Sequence, residues 1–174
     1  MTVQASTEPT FTRKRAGRMQ RLFFKAPAYL YFRPFSNLLA WRCILRLTTT
    51  GRKSGLPRKT CVSFMPSGSG YIVFAGWGAS ADWYRNLRAN PSVRVRIGNR
   101  ETDAIAYPVE DPDRRQSLMD AMSVHSRTCG PPGLMRSLLA HMRLFDYEAE
   151  IRDATAHARD LPVMEIQPVE LAAT

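Results

Sequence analysis

No run in this 174-residue chain approaches the roughly 20 consecutive apolar residues of a membrane span, and the basic N-terminus leads into no continuous apolar core of a secretory signal. Cysteine is scarce and odd in number. Cys43, Cys61 and Cys129 are widely spaced with no Cys-x-x-Cys, a pattern expected for reduced thiols in a cytoplasmic protein. His125, His141 and His157 recur every 16 residues without a Cys or carboxylate at ligand spacing, so no metal site is expected. The glycines form neither common nucleotide motif. Lys53 sits between Gly51 and Gly55 rather than after four intervening residues, and neither Gly68–Gly70 nor Gly76–Gly78 is completed to G-x-G-x-x-G. No nucleophile–base arrangement of the Ser/His/Asp or Cys/His kind stands out.

Acidic residues are almost missing from the first half. Residues 1–81 carry 13 Lys/Arg against one acid, Glu8, for +12, whereas residues 82–174 carry 12 against 14, for −2. The whole excess of +10 therefore lies in the first half, which implies an anionic partner: a polyanionic small molecule, a membrane surface or a nucleic acid. An apolar fraction of 44% and three Trp argue for a packed globule. At this length one domain is the simplest organisation, burying about 70% of the unfolded surface.

The most informative stretch is Leu47-Thr-Thr-Thr-Gly-Arg-Lys-Ser-Gly-Leu-Pro-Arg58. Apolar, strand-like runs over 43–47 and 60–65 flank a turn in which three hydroxyls lead to Arg52, Lys53 and Ser54, with Arg58 close behind. Gly51 and Gly55 let the backbone turn tightly and expose N–H groups. Hydroxyls, N–H groups and cations converging on one turn suit a phosphate or carboxylate cluster. The competing reading is a solvated hairpin tip whose charges blunt a sheet edge.

The N-terminal 1–10 reads as disordered and 11–42 as a basic, aromatic segment, with a helix over 15–25 that Pro27 and Pro34 prevent from continuing. A short helix is expected over 36–41. The main folded domain then runs over 43–174. Ser67-Gly-Ser-Gly70 is a hairpin signal before a strand over 71–75. Residues 82–89 read as a helix capped by Ser80 or Asp82 and ended by Asn90-Pro91. Strands follow over 92–97 and 101–109, helices over 111–126 (Leu118, Met119 and Met122 inward), 134–146 and 149–159, and a last strand over 163–166. Strands joined by hairpins with helices added late indicate an antiparallel barrel or an α+β fold.

Two separated segments carry a family resemblance: the 47–58 stretch, and Trp83-Tyr-x-Asn-Leu-x-Ala-Asn-Pro91 some twenty-five residues later. In order and spacing, residues 43–110 resemble the deazaflavin-dependent nitroreductase and quinone reductase family, α+β split β-barrel oxidoreductases that use coenzyme F420. That coenzyme bears a phosphodiester and a tail of glutamates, so it is a polyanion. The resemblance implies that Arg52, Lys53, Ser54 and Arg58 hold phosphate and tail, that Ala75, Gly76, Trp77 and Gly78 lie against the ring, and that Trp83, Tyr84, Asn86 and Leu87 complete the site. Many relatives carry a Ser and then a small or basic residue where this chain has Gly76-Trp77, which puts the ring contacts in question. On spacing alone, Trp83 and Leu87 share an i, i+4 face that core packing would equally explain.

The function implied is hydride transfer from reduced F420 to an electron-poor acceptor: a quinone, a nitro compound or an activated C=C bond. No catalytic residue is assigned; Tyr147 and His125 are candidate proton donors. The alternatives are a non-enzymatic barrel binding flavin mononucleotide or haem, and a peripheral protein using the 13–25 patch on anionic membrane. No nucleic-acid motif is present. A cytoplasmic location, with or without contact at the inner face of the membrane, completes the expectation, and the resemblance leaves open a homodimer paired through its sheets or a monomer.

Overall fold

The computed structural model describes residues 8–12, 31, 35–129 and 146–169, with single positions at 133, 137 and 141. The helix expected over 15–25, most of the one over 134–146 and positions 1–7 fall outside them.

Six strands form a closed antiparallel barrel: β1 (Ile44–Thr50), β2 (Pro57–Ser67), β3 (Gly70–Phe74), β4 (Ser92–Ile97), β5 (Arg100–Pro108) and β6 (Val163–Pro168), in the order β1-β2-β3-β6-β5-β4. Two hairpin turns follow from local chemistry, with Gly68 and Gly98 in left-handed backbone between their strands. The last strand closes the wall. β6 pairs with β3 on one side (Tyr71↔Ile166) and with β5 on the other (Ala106↔Ile166).

Alternation decides what lies inside. Along β4, Val93 and Val95 are buried while Arg94 is exposed, and Leu45, Leu47 and Thr49 of β1 share the interior face with them. Phe64, Val73, Ala104, Ala106, Met164 and Ile166 fill the remaining space, each large apolar side chain contributing roughly 1.5–3 kcal/mol by leaving water. The lumen is a packed core.

Helices cover the outside. The short α1 (Phe35–Trp41) leads into β1, α2 (Asp82–Ala89) packs on β1, and α3 (Pro112–His125) packs with α4 (Tyr147–Ala156). Asp111 caps α3 by accepting from the N–H groups of Asp113 and Arg114. Met119 and Met122 face inward, as their spacing predicts, and meet Ala154, Ala158, Leu161 and the outward Met65 and Phe74. The cap expected on α2 does not form: Ala81 occupies that position with no side-chain cap, and the Ser80 hydroxyl donates to the Trp77 carbonyl instead.

Neighbouring strands are unequal in length. β2 has eleven residues and β3 five, and their ladder begins only at Phe64 and Val73. Residues 57–63 of β2 therefore pair with β1 alone. The structure corrects the expectation of three reduced cysteines. Cys43, at the entrance to β1, is disulfide-bonded to Cys129, 86 residues on, a contact that only tertiary folding creates. Among the described residues no helix is long and apolar enough to cross a membrane.

Candidate functional site

The 51–56 turn is built from its own backbone. The Gly51 N–H donates to the Leu56 carbonyl (2.9 Å), while the Ser54 and Gly55 N–H groups both donate to the Gly51 carbonyl (3.1 and 2.7 Å). Leu56 N–H donates to Ser54 Oγ (3.4 Å), and Arg52 N–H to Asn86 Oδ1 (3.2 Å). A Cβ on Gly51 would stand 2.8 Å from Ser54 Oγ and 3.1 Å from the Leu56 carbonyl oxygen, so glycine is what allows the turn to close. The N–H groups that sequence suggested would face an anion are thus mostly consumed within the turn. What remains outward is side-chain charge.

The four cations near the turn divide into two sorts. Arg52 is engaged: its Nη1 and Nη2 donate to Asp82 Oδ1 at 3.0 Å each, and Nη1 also donates to Asn86 Oδ1 (3.1 Å). Asn86, buried on α2, donates in turn to Thr49 Oγ1 (3.1 Å). This chain of bonds ties the start of α2 and the end of β1 to the turn. Lys53, Arg58 and Lys59 are exposed, and none of the three has an acidic partner among the described residues. Arg58 donates from Nη2 to Ser54 Oγ (3.2 Å). Its register partner is Thr49, so it stands on the interior side of β2 at the barrel rim, while Lys59, paired with Thr48, stands outside. From sequence, Thr49 is only one of three hydroxyls before the turn and Asp82 only a candidate helix cap, and Lys59 carries no role. A hydroxyl in a strand and an acid at a helix start are too common to signal a network.

The remaining expected residues divide between wall and core. Tyr84 and Leu87 are buried among the barrel side chains; Trp83 packs against the same cluster and meets Tyr84 edge-on at 6.2 Å. Ala75 is buried with its N–H donating to the Pro162 carbonyl. Gly78 has φ +72°, and a Cβ there would come within 2.0 Å of the Phe11 carbonyl oxygen. Its role is close packing: Thr12 bridges to Gly78, and the Ala79 N–H donates to the Phe11 carbonyl. Gly76, by contrast, would meet nothing within 4 Å if it carried a Cβ. The loop is open at Gly76 and closed at Gly78.

Of the two candidate proton donors, Tyr147 begins α4, with its side chain outside the described residues. His125 ends α3, and one of its ring nitrogens lies within 4.8 Å of both Cys43 and Cys129 sulfurs. A groove of about 630 Å³ lies between α3 and α4 beside Ser123, Arg127, Glu148 and Arg152, and includes no residue of the turn.

A closed antiparallel barrel with an incomplete ladder, a helix-braced turn at its rim and cations without acidic partners beside it defines a split-barrel protein suited to an anionic ligand. A solved conserved protein of Mycobacterium tuberculosis has a similar fold, with TM-score 0.50 and 13% identity over 77% of this chain and 78% of that one. The model of the F420H(2)-dependent quinone reductase family matches residues 36–128, more than half of the chain, and the protein belongs to that family. An F420H(2)-dependent quinone reductase of Mycobacterium tuberculosis is 39% identical over 74 residues, which are 40% of this chain and 50% of the relative. The chain thus spans about half the length of the curated relatives it matches. Coenzyme F420 is the cofactor this membership brings.

The residues present fit that cofactor's anionic part. Lys53, Arg58 and Lys59 offer three positive charges with no acidic partner among the described residues, next to the Ser54 hydroxyl. A phosphate and a run of carboxylates would supply the missing counter-charge.

Proposed function

We propose that the protein is a reductase that takes hydride from reduced F420 and delivers it to an electron-poor acceptor of the quinone class. The observation that carries this reading is the turn itself, where three cations without acidic partners among the described residues flank a backbone whose N–H groups are mostly satisfied. Reduced F420, when bound, supplies the hydride; the chain need only bind, orient and exclude water. Lys53, Arg58 and Lys59 hold phosphate and tail carboxylates. Arg52, locked to Asp82 and Asn86, keeps the turn at a fixed height over α2. Gly76 leaves room for a planar ring, and the neighbouring Trp77 offers an aromatic face for stacking. The family match favours this over a flavin- or haem-binding barrel without turnover. Nitro compounds and activated C=C bonds are further acceptors of the same electronic kind.

Fluorescence titration with F420 tests the reading, followed by turnover of reduced F420 with a soluble quinone. Wild type should bind and turn over. The double variant Lys53→Ala with Arg58→Ala should raise Kd at least about tenfold, the equivalent of roughly 1.4 kcal/mol. Equal affinity in both proteins would remove the turn from the site, and binding of flavin mononucleotide or haem in place of F420 would overturn the reductase.

A further inference from the structure

The side chains that the proposed reaction leaves unused are concentrated at the opposite end of β1. Cys43 enters the strand from a left-handed backbone (φ 58°), with its N–H donating to the Ala40 carbonyl and its carbonyl accepting from Phe64 N–H. Both its backbone groups are thus held by α1 and β2. Cys129 is buried just beyond α3, and the turns after that helix are fixed by N–H bonds from Ser126 to Met122, Thr128 to His125 and Cys129 to Ser126. His125, the last residue of α3, lies between these anchors. Its Nε2 is buried and has no hydrogen-bond partner among the described residues.

A buried imidazole nitrogen without a partner is uncommon, because desolvating it with no compensating bond is unfavourable. One ring nitrogen of His125 and the two sulfurs lie within 4.8 Å of one another, and the cysteine Cα atoms are 5.3 Å apart. A tetrahedral zinc ion with Zn–S bonds of about 2.3 Å holds its two sulfurs about 3.7 Å from each other. That spacing is within reach of side-chain rotation once the disulfide is open. We propose that Cys43, Cys129 and His125 constitute a soft divalent-metal site that reduction of the disulfide creates and oxidation removes.

The chemistry balances with a low-molecular-weight thiol as reductant. Two R–SH reduce the protein disulfide to two protein thiols and leave as R–S–S–R. The two thiols then lose two protons as their sulfurs bond the metal, and neutral His125 supplies the third ligand through a ring nitrogen. Two thiolates and an imidazole favour zinc over calcium or magnesium. Three protein ligands leave a fourth position for water or an incoming donor. The inference does not rest on F420 binding, since none of the turn residues takes part.

The test uses the full chain without a histidine tag, reduced with a phosphine, desalted under argon and titrated with Co²⁺ and then Zn²⁺. Reduced wild type should take up about one equivalent of Co²⁺ with thiolate-to-cobalt charge-transfer absorption and tetrahedral visible bands, which Zn²⁺ displaces. The oxidised protein should give neither signal. Cys129→Ser should lose the charge-transfer band, His125→Ala should weaken binding by roughly tenfold or more, and Cys61→Ser should bind as wild type. Zinc should raise the Tm of reduced wild type and leave that of Cys129→Ser unchanged, a readout that separates lost ligation from lost folding. Two outcomes overturn the site: no uptake by reduced wild type beyond that of Cys129→Ser, or equal uptake by oxidised and reduced protein.

Discussion

On the outer side of β2, Cys61 lies opposite Arg46 in the ladder, and burial pushes its thiol up from the usual 9.0 to about 12, with the positive charge of Arg46 acting in the opposite direction. Arg46 is itself buried, donating to Glu101 (3.3 Å) and to the Tyr31 carbonyl (3.4 Å). A folded-state pKa above the unfolded one means that the folded thiol keeps its proton where the unfolded chain has lost it. The preference for the neutral form therefore leaves stability intact below about pH 9 and removes it progressively as pH rises toward 12. Burial raises the Tyr31 hydroxyl in the same direction. Cys61→Ala should flatten part of the fall in Tm above about pH 9, read by thermal scans in parallel with wild type. The thiol should also react slowly with iodoacetamide at neutral pH, since the thiolate is the nucleophile. At this scale sequence is least informative about partners. It shows Arg52 beside Lys53 as equals, whereas one is bound to Asp82 and the other is not.

Elements were far more readable. The alternation over 92–97, the glycine turns at 68 and 98 and the proline after Asn90 each act within a few residues, so β4, the hairpins and the end of α2 stand close to where their patterns put them. The difference between the strand expected over 43–47 and β1 has a tertiary cause. Thr48, Thr49 and Thr50 extend the strand because β2, and for the first two β4 as well, supplies partners for them. The contact between Phe11 and Gly78 had no local signal at all, because the two are far apart along the chain. It yields a sharp expectation. Gly78→Ala would strain a left-handed backbone and drive a methyl into the Phe11 carbonyl, costing on the order of 1–3 kcal/mol. Limited proteolysis should then cleave near residues 8–12 faster than in wild type, while Gly76→Ala, with open space around it, should leave that rate unchanged.

For the molecule as a whole, charge and covalent connection act over long distances. Residues 1–81 carry a surplus of +12 along the sequence, and Lys53, Arg58 and Lys59 put charge of one sign at the proposed anion site. F420 affinity should fall steeply as salt is raised from about 50 to 500 mM, because the Debye length shrinks from roughly 14 to 4 Å. A flat response would mean that ring contacts dominate binding. The membrane attachment and pairing of chains expected from the basic N-terminus and the fold type depend on surfaces that the described residues do not define. The Cys43–Cys129 pairing and the strand order around β6 escape a reading of sequence for one reason: each joins segments whose separation exceeds any local period.

The unequal lengths of β2 and β3 also decide the route by which a flat aromatic ring can meet this protein. With Leu45, Leu47, Phe64, Val95 and Ile166 filling the axis, there is no chimney down which such a molecule could descend. Residues 57–63 of β2 instead form a flank without β3 pairing, where a stave of eleven residues stands next to one of five. On the proposed function, a ring laid on that flank would trail its charged tail over the rim toward Lys53 and Arg58. One face of the ring would meet protein and the other would remain available to a second molecule. Such binding would make a barrel with a stave cut short a bench for two reactants side by side.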